Sequence, residues 1–344
     1  MALTTDDFIL HEYKARQLWE QREYSAVINH TKAAAEKAGS RGDDAGWWRM
    51  MYLLAKCQRQ LGDISDLVET AESLSLHPLT SRDPELAAKA NALRSAGLRA
   101  LGQLPEALEV AREATLEFPE TGYGSKGKLE AQQVLVAVLA ESGHLDDAWR
   151  EAENLCRLID ANTEPDRAGR AYWSIGNVAF LLGRSKDATE YHDKAATCFS
   201  PSRDLNLWAI FNKASAFMRL NANLVEPATL QCIERAEMAM SISGGTPQDE
   251  LDIDVIRAHW CFLTGALPEA KLKMSGIMAR AEVMAPLSEG DARILYARIL
   301  AAAGEAEAAR EQAKTGMELF ENVGAVMRAE QARELADSIK SVNF

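Results

Sequence analysis

No apolar run in the 344 residues approaches the roughly 18–20 residues that a membrane-spanning helix needs, which argues against a helical anchor. The first ten residues carry Asp6 and Asp7 and lack the basic-then-apolar order of a signal peptide, so a cytoplasmic location is the expectation. Proline is scarce, 10 residues in all, and never clusters, so no proline-rich linker marks a domain boundary. Runs of Val, Ile and Thr with period two are missing, which argues against β-strands. Positive charge is in short supply: 38 Lys and Arg stand against 51 Asp and Glu, a net charge of -13. Direct nucleic-acid binding is not expected of such a chain, because phosphate contacts require clustered cations. The five cysteines show no CxxC spacing and read as buried free thiols. The six histidines form no HxxxH or HExxH pair, so no metal and no other cofactor is expected. A GxxxxGK[ST] phosphate loop and a convincing helix-turn-helix are both missing, and Gly124-Ser-Lys-Gly-Lys128 reads as a turn between repeats.

What remains is Ala, Leu, Glu, Arg and Met with apolar spacings of 3 or 4, which predicts an all-helical protein. Length alone would allow two or three domains. Internal repetition gives a different organisation. A turn pattern begins at Gly62, Gly102, Gly143, Gly183, Asn223, Gly265 and Gly304, with a degenerate copy at Arg22. The eight starts are 39 to 42 residues apart. Glycine there ends one helix in the left-handed conformation, which Asn also tolerates. Pro or Asp two or three residues later opens the next helix, where a missing N–H or a negative charge is favourable. Five residues after the turn slot stands Ala, as at Ala107, Ala148, Ala188 and Ala270. Seven before it stands a small residue (Ala15, Ala55, Ser95, Gly176, Ala258, Ala297), with Val136 as the exception. Small residues at both positions let the two helices of a unit cross closely. An aromatic closes several second helices: Phe118 before Pro119, Phe199, and Phe320.

The stretches Tyr172-Trp-Ser-Ile-Gly-Asn-Val-Ala-Phe-Leu-Leu-Gly183…Ala188…Ala195…Phe199 and Gly102…Ala107…Ala114…Phe118-Pro119 resemble tetratricopeptide repeats. The resemblance runs from about Phe8 to Asn322. Its units are longer than the family's standard of about 34 residues, which implies longer helices. HEAT repeats are the rival of similar length; the glycine turn and small-residue spacings favour the tetratricopeptide form. The resemblance implies a right-handed α-α superhelix of about eight helix-turn-helix repeats over residues 1–324. A C-terminal capping helix with a polar outer face would follow over 325–344. Longer units of this kind resemble the helical-repeat domains of bacterial peptide-pheromone receptors and of large sugar-responsive activators.

In a tetratricopeptide frame the first helix of each unit lines a concave groove. Its register is open in the units around Ala90 and Ala214. In the other six, groove positions carry the cations Arg16, Arg49, Lys56, Arg59, Arg170 and Arg298 and the acids Glu12, Glu130, Asp252 and Asp291. Two rows are candidates for a binding site. Arg49, Tyr52, Lys56 and Arg59 would bind a carboxylate or an acidic peptide through charge-assisted bonds, unless they are only a solvated helix face. Arg170, Trp173 and Asn177, with Asn212 on the next unit, resemble the paired Asn residues of tetratricopeptide peptide clamps. There the amides would hold a peptide backbone and Trp173 would supply a flat apolar contact. The alternative is a core aromatic beside a surface Asn. The remaining tryptophans (Trp47, Trp48, Trp149, Trp208 and Trp260) read as packing. No motif suggests catalysis. The function expected is therefore protein or peptide binding, as an adaptor or a regulatory receptor. A small-effector-sensing regulator acting through a DNA-binding partner, and an oligomerisation scaffold built from copies of the chain, are the alternatives.

Overall fold

The computed structural model describes residues 7–21, 23–116 and 125–339. Among them are seventeen α-helices and no strand. Within each unit consecutive helices pair as the repeat expects, and one terminal helix follows, a tetratricopeptide-like repeat fold. Two compact units divide the chain, Met1–Val138 and Leu139–Phe344.

The first unit holds α1 (Asp7–Glu20), α2 (Tyr24–Ser40), α3 (Asp44–Leu61), α4 (Ile64–Ser75), α5 (Pro84–Ala100), α6 (Leu104–Leu116) and most of α7 (Ser125–Glu141). The second holds α8 (Leu145–Arg157), α9 (Pro165–Leu181), α10 (Ser185–Cys198), α11 (Leu205–Asn221), α12 (Pro227–Ser243), α13 (Pro247–Leu263), α14 (Leu267–Met278), α15 (Pro286–Ala302), α16 (Ala306–Asn322) and the terminal α17 (Val326–Ser338). Ser125 to Lys128 begin α7 rather than forming a turn. Gly124, Phe118-Pro119 and Arg22 lie outside the described residues.

Each described turn slot has the left-handed backbone that the repeat requires. Gly62, Gly102, Gly143, Gly183, Gly265 and Gly304 have φ between 70° and 88°. Asn223, at φ 57°, is the one non-glycine residue with positive φ among the described residues. The small residues seven positions earlier are buried against the following helix. Ser95 is fully buried and donates its hydroxyl to Ala107 O at 2.7 Å, joining the two small positions of one unit. A Cβ on Gly176 would lie 3.2 Å from Ala188 O, the equivalent crossing of α9 and α10 in the second unit. Where these contacts are missing, glycine has no purpose. Gly276 sits inside α14 with nothing near a built Cβ, so Gly276→Ala should stabilise the protein by about 0.5–1 kcal/mol in urea unfolding.

The cores lie between paired helices. In the first unit Trp48 packs with Leu67, Leu74 and Leu93, and its indole N–H donates to Thr80 Oγ1 at 2.8 Å. In the second, Leu251, Met274, Ile277 and Leu295 form one cluster, and Phe199, Leu207 and Phe211 another. Of the cysteines, Cys57 and Cys261 are buried, the other three are half-buried, and all are free thiols. Burial pushes the Cys57 thiol up to about 12. First helices of successive pairs also touch one another directly: α3 with α5, α9 with α11, α11 with α13, and α13 with α15.

Candidate functional site

The basic row of the first unit is occupied by its own neighbours. Arg49 Nε lies 3.4 Å from Glu12 Oε1, and Arg59 Nη1 lies 3.5 Å from Glu130 Oε1. Lys56 Nζ stands 4.8 Å from the ring centre of Trp19 and 5.9 Å from that of Tyr52. Tyr52 itself stacks on Trp48, ring centres 5.1 Å apart. Burial would raise the Glu12 carboxyl, but hydrogen bonds from Arg16 and Arg49 outweigh it and hold the group below the usual carboxylate range. An acidic partner on this row would compete with Glu12 and Glu130 for the two arginines.

The second candidate row lies in the second unit, on α9 and α11. Arg170, Trp173 and Asn177 are half-buried on α9. Trp173 packs edge-on to Phe211 at 5.8 Å, and its indole Nε1 is buried without a hydrogen-bond acceptor. Asn177 Oδ1 lies 3.0 Å from His192 Nε2. Asn212 is corrected by the structure: only 1% exposed, it turns inward and donates Nδ2–H to Trp208 O at 2.7 Å. The physical reason is register. One residue is about 100° of helix rotation, so the shift that was open for α11 moves Asn212 into the packing and brings Lys213 to the face instead.

Lys213 is the start of a charged set of which the sequence frame marks only Asp252 and Asp291. Its Nζ lies 2.8 Å from Asp249 and 3.0 Å from Asp252, both on α13. Asp291 on α15 pairs with Arg328 on α17 at 2.9 Å. Between them Lys213, Phe217, Asp252, Ile256, Met284 and Asp291 line a cavity of about 180 Å³. Burial pushes the Asp252 carboxyl above its usual range; Lys213 offsets part of that, and Asp249 adds to it. Burial likewise raises Asp291, opposed by Arg328 and reinforced by Glu141. Lys213 is disfavoured by burial, but Asp252 and Asp249 outweigh that and its ammonium stays charged above the usual range. The cavity thus has apolar walls and two carboxylates, Asp252 sharing Lys213 with Asp249 and Asp291 paired with Arg328.

A third arrangement escaped sequence analysis altogether. His192 Nδ1 lies 2.9 Å from Ser215 Oγ while its Nε2 meets Asn177 Oδ1. A Ser–His–Asn chain has the connectivity of a nucleophile and its base. Ser215 is only 1% exposed, however, so no substrate reaches its hydroxyl. No group of three His, Cys, Asp or Glu side chains among the described residues is placed to hold a metal ion. No described helix is long and apolar enough to cross a membrane.

No protein-family model and no curated protein sequence matches the chain. Solved structures do. The Rap protein complexed with Competence and Sporulation Factor superposes with a TM-score of 0.62 at 11% identity, over 97% of this chain and 86% of that one. The Rap conjugation gene regulator of the plasmid pLS20, in complex with the Phr* peptide, gives 0.56 at 14% identity, over 89% and 80%. Aspartyl phosphate phosphatase F from Bacillus subtilis gives 0.54 at 14% identity, over 100% and 88%. At such low identity these likenesses establish the repeat fold.

Proposed function

We propose that the protein is a peptide-binding regulatory receptor or adaptor, and that the first-helix face of its second unit holds the peptide. The observation that carries this reading is the cavity between Lys213, Asp252 and Asp291. At about 180 Å³ it is smaller than the roughly 300–1,000 Å³ of pockets that enclose a whole small molecule, and it suits one side chain. That size favours a peptide over a small effector. Three carboxylates, Asp249, Asp252 and Asp291, against two cations, Lys213 and Arg328, favour a cationic side chain with an apolar stem. Entry of that cation would lower the Asp252 and Asp291 carboxyl groups toward their usual range, which is the source of its affinity. Asn177 would hold the peptide backbone beside it, and Trp173 and Arg170 would flank it.

An acidic ligand on Arg49, Tyr52, Lys56 and Arg59 is disfavoured, because each cation of that row already faces an acid or a ring. Two of the fold neighbours were solved with Competence and Sporulation Factor and with the Phr* peptide, which supports a peptide as the class of ligand. Catalysis has no part in this reading.

Selection of a random hexapeptide library on the full-length protein tests it. Enriched peptides should carry Lys or Arg at one position. Their affinity, measured by fluorescence anisotropy, should fall about tenfold or more in Asp291→Asn and Asp252→Asn, the loss of a charge-assisted hydrogen bond. The double variant Trp173→Ala, Asn177→Ala should weaken binding further. Absence of enrichment, or peptides indifferent to all four substitutions, would remove the proposal.

A further inference from the structure

The eight repeats provide an internal standard for His192. Nine residues after each turn slot, on the second helix, stand Thr31, Ala71, Ala111, Ala152, His192, Cys232, Met274 and Ala313. Five of the eight are Ala or Thr, and none but His192 carries a ring. The position faces the crossing with the first helix, where a small or aliphatic filler is enough. His192 is accommodated only because Gly176 faces it: a Cβ on Gly176 would stand 2.3 Å from His192 Cδ2. Phe180 meets the ring edge-on at 4.9 Å and Phe211 lies 5.8 Å away, so the imidazole is enclosed at 1% exposure. Enclosing an imidazole is costly unless both nitrogens are bonded. Here both are, one inward to Ser215 Oγ at 2.9 Å and one outward to Asn177 Oδ1 at 3.0 Å. Filling space does not require the second bond, which ends on a half-buried residue of the groove face.

We infer that His192 is a positioning residue for Asn177, fixing its side-chain amide so that the oxygen is held inward and the nitrogen faces the groove. The inference rests on the proposed peptide site and sharpens it. A fixed Nδ2–H donor at this point selects an acceptor on the ligand, a backbone carbonyl rather than a backbone N–H. The proton must then sit on His192 Nε2, with Nδ1 accepting from the Ser215 hydroxyl. The opposite tautomer would accept from a reversed Asn177 amide and would turn its oxygen to the groove. Burial, reinforced by Arg219, holds the His192 pKa down at about 3, so the ring is neutral at physiological pH and carries its one proton on one nitrogen.

The test has two arms, both on the full chain. Side-chain 15N NMR at neutral pH should show His192 as the Nε2–H tautomer; the Nδ1–H tautomer overturns the inference whatever the ligand. Hexapeptides selected on the wild type should lose about tenfold or more in affinity in His192→Leu, and recover much of it in His192→Gln, which restores an amide donor. Asn177→Asp, which still accepts from His192 but offers no donor, should lose as much as His192→Leu and covers the case in which that variant does not fold. Equal affinity of the wild type, His192→Leu and Asn177→Asp for the selected peptides overturns the inference. Failure of any hexapeptide to bind the wild type counts against the proposed function instead, and the tautomer measurement then decides the positioning alone.

Discussion

Lowering the pH from about 7 to about 4.5 should remove about 5 kcal/mol of stability through two buried histidines. Burial, with Arg219 nearby, holds His192 down at about 3, and burial with Arg298 holds His259 at about 4. Both side chains are at most 5% exposed, so little solvent screening reduces the effect. In the unfolded chain each titrates near its usual value of about 6.5. Above that pH neither state takes up the proton and the histidines cost nothing. Below it the unfolded state binds protons that the folded state refuses, at about 1.4 kcal/mol per histidine per pH unit. The loss begins near pH 6.5 and ends as the pH passes the folded values. Asp252 and Asp291 work in the opposite sense, because their raised carboxyls accept protons in the fold first. A comparison with His192→Gln separates the terms. Between about pH 7 and pH 4.5 the wild type should lose about 2.7 kcal/mol more than this variant in urea unfolding followed by circular dichroism. Parallel pH profiles would mean that the ring is solvated and that the site around Asn177 is open.

The second large effect belongs to Gly176. In the sequence it is one of a series of small residues, and Gly176→Leu is expected to overpack the crossing by about 1–3 kcal/mol. The structure raises that figure. The first carbon of any side chain would meet His192 Cδ2 at 2.3 Å and the Ala188 carbonyl at 3.2 Å. The carbonyl belongs to a helix backbone, and the ring is tied by two hydrogen bonds, so neither yields cheaply. Displacing the ring adds the cost of stranding buried polar groups, about 1–3 kcal/mol. Gly176→Leu should therefore lose about 2–6 kcal/mol, and Gly176→Ala should already be destabilising. Thermal and urea unfolding of both variants provide the measurement. A loss below 1 kcal/mol for the leucine variant would place the α9–α10 crossing elsewhere.

These two residues mark the boundary between what could be read and what could not. The turn slots were legible because left-handed backbone is a local demand: Gly, or Asn at 223, meets it whatever surrounds the turn. Seven described slots obey it, and with them come the helix count, the pairing of consecutive helices and the burial of the small residues from Ala15 to Ala297. Asp252 and Asp291 were also legible as candidate positions in the common frame, and both line the second-unit cavity. Lys213 was not, because a one-residue uncertainty in α11 turns its face by about 100° and exchanges it with Asn212.

The sequence by itself determined the repeat, because its signals act within a few residues through backbone conformation and helical periodicity. Only the tertiary structure decided which charges are available. Arg49 and Glu12 are 37 residues apart, Arg59 and Glu130 are 71 apart, and Lys213 and Asp252 are 39 apart, yet each pair meets across stacked helices. No periodicity encodes whether a cation so placed is met by an acid. The chain is short of positive charge throughout, and packing spends much of what it has on neighbouring acids. Beside the second-unit cavity Asp249 and Asp252 share the one Lys213, and the row from Arg49 to Arg59 that looked open in the sequence has Glu12 and Glu130 beside its arginines.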